Sequence, residues 1–120
     1  MKILIAEDNL MNQLLMKIYM NQLGWTYVIV ENGLLAVESC KTGDFDFILM
    51  DIKMPALDGI EATKLIRTFN TKIPIIAVTA HSEFHTRLEC INAGMNEFIE
   101  KPFTCEQIES AIGRLSAINN

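Results

Sequence analysis

Short apolar runs punctuate the chain at Ile3–Ala6 (ILIA), Tyr27–Val30 (YVIV), Phe47–Met50 (FILM), Ile75–Val78 (IIAV) and, more weakly, Glu97–Glu100 (EFIE). Each has the length of a strand and is rich in β-branched or large apolar residues. Continuous runs, rather than strict alternation, suit strands buried on both faces of a parallel sheet. Helical periods fill the gaps. Met11, Leu14, Leu15 and Ile18 recur at i, i+3, i+4 and i+7, the pattern of an amphipathic helix, with Asn9 as its N-cap and Gly24 as its terminator. A second helix is expected over about Leu34–Cys40, followed by Gly43. A third carries Ile60, Leu65, Ile66 and Phe69 after Asp58 and Gly59. A fourth carries Leu88, Ile91 and Met95 and ends near Gly94. The last carries Ile108, Ala111, Ile112 and Leu115, with Thr104 as cap and Glu106 and Gln107 in its first turn.

Strands alternating with helices, all parallel, need right-handed crossovers that cover both sheet faces. The expected fold is therefore α/β, a doubly wound five-stranded sandwich occupying residues 1–120 as a single domain. A (β/α)₈ barrel is disfavoured, because 120 residues are about half of what a barrel requires.

Composition narrows the function classes. Half of the residues are hydrophobic and 21% are charged, as in globular domains, and the net charge of −5 argues against direct nucleic-acid binding. No apolar run approaches the ~20 residues of a membrane span, so no membrane contact is expected of this domain. The start, MKILIAEDN, is a poor signal peptide, and cytoplasmic placement is the expectation. Cys40, Cys90 and Cys105 are odd in number and widely spaced, which suits reduced thiols better than a disulfide framework or a zinc site.

Ligands of open α/β sheets bind beyond the carboxyl ends of the strands. The residues there are Glu7 and Asp8, Glu31 and Asn32, Asp51, Thr79, and Lys101. Carboxylates gathered at neighbouring strand tips repel one another, and a divalent cation removes that penalty. An all-oxygen donor set selects Mg²⁺, Ca²⁺ or Mn²⁺ over zinc. A few carboxylates with open positions resemble a Mg²⁺ site, and no segment has the closely spaced oxygens of a Ca²⁺ loop. A hydroxyl from Thr79 and an ammonium from Lys101 suit phosphate oxygens. Such an ensemble can take a phosphoryl group onto a carboxylate.

The motifs AEDN, LMDIKMPALDG, VTA and EKPF, in this order over the whole chain, resemble the receiver domain of two-component response regulators. EDNLMNQ with MDIKMPALDGIEATKLIR is similar to receivers attached to hybrid sensor histidine kinases. The resemblance implies a flavodoxin-like (βα)₅ sandwich of strand order 2-1-3-4-5, with Asp51 as phosphoacceptor. It implies Mg²⁺, replaceable by Mn²⁺, on Glu7, Asp8, Asp51 and the backbone carbonyl of Lys53. Thr79 and Lys101 would contact the phosphoryl group, with Thr79 and Phe98 as switch residues and Pro102 at a cis-peptide position that would aim Lys101 into the site. The implied function is a phosphorelay module that accepts phosphoryl from a phosphohistidine and switches the surface of helix four, strand five and helix five. It would catalyse only its own phosphorylation and dephosphorylation. The implied partners are a histidine kinase or histidine phosphotransfer domain and a downstream effector.

Two rival readings stand beside this one. Aspartyl-phosphate phosphatases resemble receivers but typically carry a second Asp two residues after the nucleophile, where this chain has Lys53. An unphosphorylated pseudo-receiver would usually lack an acid or the lysine, and all are present. His81 and His85, at i and i+4, read as a solvated helix face, because HSEFH is not HExxH. His81, two residues past Thr79, is a candidate for controlling water access at the rim.

Overall fold

The computed structural model describes residues 1–80 and 84–119. Among these, five strands alternate with five helices: β1 (Lys2–Ala6), α1 (Leu10–Leu23), β2 (Thr26–Val30), α2 (Gly33–Thr42), β3 (Phe47–Met50), α3 (Gly59–Arg67), β4 (Ile75–Thr79), α4 (Phe84–Ala93), β5 (Glu97–Glu100) and α5 (Cys105–Asn119). The strands are parallel in the order β2-β1-β3-β4-β5, with both neighbours of β1 reached by crossover helices. β1, β3 and β4 occupy the middle of the sheet, and apart from the exposed Lys2 at the start of β1 and the buried Thr79 at the end of β4 their residues are apolar and buried.

Two cores sandwich the sheet. On one face Ile3, Ile5, Leu49, Ile76 and Val78 meet Met16 and Met20 of α1 and Ile108, Ala111, Ile112 and Leu115 of α5. On the other, Leu4, Ile48, Met50, Ile75 and Ala77 meet Ala36 and Val37 of α2, Ala62 and Ile66 of α3, and Cys90 of α4. Trp25, half-buried, packs against the first core as a space-filling residue.

Helix ends follow local chemistry. Asn9, Asn32 and Asp58 cap α1, α2 and α3 through side-chain oxygens that accept from Asn12, Leu35 and Glu61 N–H. Gly24 ends α1 with φ of 73°, a left-handed conformation that a side chain would strain. At α5, Thr104 Oγ1 accepts from Gln107 N–H at 3.2 Å and Gln107 Oε1 accepts from Thr104 N–H at 2.8 Å, a reciprocal capping box.

The helix faces correct the sequence reading in places. α5 buries the expected row. In α1, however, Met11, Leu14 and Ile18 are exposed, Met11 by 73%, and the helix buries Met16 and Met20 with Tyr19 and Leu23 partly covered. Both rows have helical spacing, so periodicity alone does not choose between them. Leu88 and Ile91 of α4 are likewise exposed, whereas Cys90, Ala93 and Met95 are buried. In α3, Leu65 is exposed, Ala62 and Ile66 face the core, and Phe69 lies beyond the helix end, exposed. In α3 and α4 the small residues Ala62, Cys90 and Ala93 face inward, whereas α1 buries the large Met16 and Met20.

Candidate functional site

Strand register sets the tips level. Ala6 partners Met50, Met50 partners Ala77, and Thr79 partners Glu100. The ladder continues one step further: Glu7 N–H donates to Val30 O at 3.0 Å, Asp51 N–H to Ala6 O at 3.0 Å, and Lys101 N–H to Thr79 O at 2.8 Å. Glu7, Asp51 and Lys101 are therefore held by sheet hydrogen bonds at the carboxyl edge although they lie outside the regular strands.

Glu7 is 1% exposed and Asp51 7%. Burying two carboxylates side by side demands compensation. Lys101 provides it: its Nζ lies 2.8 Å from Glu7 Oε2 and 3.2 Å from Asp51 Oδ2. Asp51 Oδ1 also accepts from Ile52 N–H at 2.8 Å. Burial first, and then the Glu7 charge, push the Asp51 carboxyl up to about 6 despite Lys101. Burial pulls Lys101 downward, but its hydrogen bond to Glu7 and the charges of both acids win, and its pKa is raised.

Carboxylate oxygens of Glu7, Asp8 and Asp51 lie within 4.8 Å of one another, with Asp8 exposed at the rim. This hard, anionic donor set is chemically suited to Mg²⁺ or Mn²⁺, so the cluster can hold a metal ion. Thr79, at the end of β4, is completely buried. The Lys101–Pro102 peptide is cis. Tyr19 Oη donates to Phe103 O at 3.0 Å, and the two rings meet edge-on, which ties the loop after Lys101 to α1. The Lys53 side chain is exposed. Phe98 is half-buried on β5, outside the acid cluster. His81 lies outside the described residues. His85 is exposed and pairs with Glu89 at 2.8 Å, as a solvated face would.

Other residues shape the site without standing out in the sequence. Asn12 Nδ2 donates to Glu7 Oε1 at 3.4 Å, Asn9 N–H to the same oxygen at 3.2 Å, and Gln13 Nε2 to Glu7 O at 2.7 Å. The polar positions of EDNLMNQ thus clasp Glu7 from the first turn of α1. Their i+2, i+5 and i+6 offsets from an acid preceding a helix are the signal that could have found them. Across the site, a Cβ on Gly59 would lie 2.0 Å from Asp51 O, so the start of α3 packs backbone to backbone against the Asp51 peptide. Cysteine chemistry is disfavoured, since burial raises the Cys40, Cys90 and Cys105 thiols, Cys40 to about 11.

Comparison with known proteins gives a consistent picture. Residues 3–113 match the family model of the response regulator receiver domain. The chain is 35% identical to Hybrid signal transduction histidine kinase B of Dictyostelium discoideum, over 89% of the chain but 6% of the kinase. It is 36% identical to Two-component response regulator 24 of Arabidopsis thaliana, over 94% of the chain and 82% of the regulator. A crystal structure of the receiver domain of a sensor histidine kinase from Pseudomonas aeruginosa PAO1, with a magnesium ion coordinated in its active site cleft, superposes with a TM-score of 0.89. The two are 37% identical, and the match covers 95% of each chain. The chain spans 6 to 15% of the length of the first histidine kinases it matches.

Proposed function

This chain belongs to the response regulator receiver family, the phosphoacceptor modules of two-component signalling, and from that premise we propose that Asp51 accepts a phosphoryl group from a phosphohistidine on a histidine kinase or histidine phosphotransfer domain. The supporting observation is the bridging of Asp51 and Glu7 by Lys101 beside the three-carboxylate cluster. With a pKa of about 6, Asp51 is mostly ionised at neutral pH and presents a nucleophilic oxygen.

The chemistry balances simply. The Asp51 carboxylate oxygen forms a P–O bond as the P–N bond to the partner imidazole breaks, and the departing imidazole takes up a proton from water. Glu7, Asp8, Asp51 and the Lys53 carbonyl would hold Mg²⁺, which supplies charge neutralisation for the transferring group when bound. Lys101, released from part of its pairing with Asp51, follows the new negative charge. Thr79, buried at the strand tip, contributes a hydroxyl to it, and Phe98 responds on the same sheet face. The domain catalyses its own phosphorylation and dephosphorylation and acts on no other substrate. Lys53, where a phosphatase would carry its second acid, supports that division.

Partner docking has a candidate surface. Leu10, Met11, Leu14 and Ile18 are exposed on α1, the helix that begins immediately after Glu7 and Asp8. A helical partner bringing its phosphohistidine to Asp51 would cover this face, in the cytoplasm where kinase cores operate. Among the described residues no helix is long and apolar enough to cross a membrane.

The test is incubation with Mg²⁺ and acetyl phosphate, followed by intact mass. One added phosphoryl group is expected for the wild type and none for Asp51→Asn. An unchanged wild-type mass, or retention of the label in Asp51→Asn, would overturn the assignment.

A further inference from the structure

Phe98 stands on β5 opposite Ala77, two residues before Glu100, the partner of Thr79. Its ring packs against the core that α4 covers and lines two surface cavities, of about 440 Å³ toward Thr104 and Gln107 and about 200 Å³ toward Cys90 and Met95. Over that ring sits a cation: the Arg87 guanidinium carbon, from the exposed side of α4, is 4.7 Å from the ring centroid. Among the described residues, Glu89 pairs with His85 and Glu97 with Arg114. Among the described residues, the Phe98 ring is the partner that the Arg87 guanidinium has.

We infer that Arg87 is a positioning residue for Phe98, holding the ring in its outward orientation and so opposing the phosphorylated state. This rests on reading Phe98 as the residue that turns inward on phosphorylation. A cation over an aromatic face is attracted by the ring quadrupole, and the attraction depends on ring orientation. It exists in the outward state and is lost when the ring rotates away. An interaction present in only one of two states biases the equilibrium by its own strength, and by linkage it weakens any ligand that favours the other state by the same factor. For a partly exposed pair that factor is about two to five. The sign separates this role from plain electrostatics. Removing a positive charge near an anion-binding site weakens anion binding, whereas removing the latch strengthens it.

Beryllofluoride with Mg²⁺, a stable stand-in for an aspartyl phosphate, provides the probe. Its affinity is measured by calorimetry, and the Phe98 side-chain torsion is followed by NMR, for the wild type, Arg87→Met, Arg87→Lys and Phe98→Leu with and without Arg87→Met. The expected result is a wild-type ring that reorients on binding, an Arg87→Met variant with more inward ring before ligand and about two- to fivefold tighter beryllofluoride binding, and an intermediate Arg87→Lys. Mg²⁺ affinity alone is expected to stay unchanged, and Arg87→Met to have no effect in the Phe98→Leu background. If the wild-type ring reorients but Arg87→Met binds equally or more weakly, the latch is wrong and the switch reading stands. If the wild-type ring stays outward with beryllofluoride bound, the switch reading itself fails and the latch falls with it.

Discussion

At the scale of single residues, Asp51 is held in a compromise. Lys101 must serve two carboxylates, and it lies closer to Glu7 than to Asp51. Burial and then the neighbouring Glu7 charge raise the Asp51 carboxyl from 3.8 to about 6, and Lys101 offsets this only in part. A group whose folded pKa exceeds its unfolded value binds protons more tightly when folded, so stability is greatest below the unfolded pKa and declines as pH rises through the folded one. In the absence of metal, the Asp51 contribution to stability should fall by up to about 3 kcal/mol between pH 4 and pH 6, since each tenfold difference in proton affinity between the two states is worth about 1.4 kcal/mol. Asp51→Asn mimics the protonated acid and should remove that decline, being more stable than wild type at pH 7 by about 1–3 kcal/mol. Urea denaturation in EDTA at several pH values measures both curves. Parallel curves for the two proteins would show that Asp51 is not strained. A functional residue that destabilises the resting fold is a familiar trade.

At the scale of elements, the helices show what apolar patterning can and cannot decide. Met20 of α1 is buried, whereas Leu14 of the same helix is more than half exposed. Met20→Ala should cost about 2–5 kcal/mol, and Leu14→Asp should stay within about 0.5–1 kcal/mol. Leu14→Asp should nevertheless slow phosphotransfer from a phosphorylated partner about tenfold or more, an effect of ~1.4 kcal/mol at a contact, while leaving acetyl phosphate labelling unchanged. Chemical denaturation and paired transfer assays separate these outcomes. Equal transfer rates would remove α1 as the docking face. The same packing governs how much of the molecule is legible in its sequence. The strands are readable because ILIA, FILM and IIAV are buried on both faces and so are apolar throughout. The ends of α1 and α5 are readable because Asn9, Gly24 and Thr104 act through local backbone chemistry. The buried faces of α1 and α4 are not, because a surface that is apolar for a second reason carries its own helical stripe. In the site, Glu7, Asp8, Asp51, Thr79 and Lys101 stand out by their places after strands. The clasp of Asn12 and Gln13 on Glu7 and the stacking of Arg87 on Phe98 depend on side-chain direction in three dimensions, which spacing alone does not encode.

At the scale of the whole molecule, the acid cluster makes stability, protonation and metal binding one linked equilibrium. Glu7, Asp8 and Asp51 repel one another across distances under 4.8 Å, and a divalent cation relieves what Lys101 only partly offsets. A ligand that binds only the folded state stabilises it by RT ln(1 + [L]/Kd), about 2.7 kcal/mol at a concentration one hundred times Kd. For a domain of this size that corresponds to a rise in Tm of about 10 °C. Protons compete for Asp51, so the apparent Mg²⁺ affinity should fall about tenfold per pH unit below pH 6, and the thermal shift should fade over the same range. Asp8→Asn should weaken the shift, because it removes one of the three carboxylates of the cluster. Asp51→Asn should abolish most of the shift together with its pH dependence. Calorimetric titration with Mg²⁺ at pH 5, 6 and 7, alongside thermal melts, tests all of these at once. A Mg²⁺ affinity independent of pH in wild type would mean that Asp51 is not a ligand.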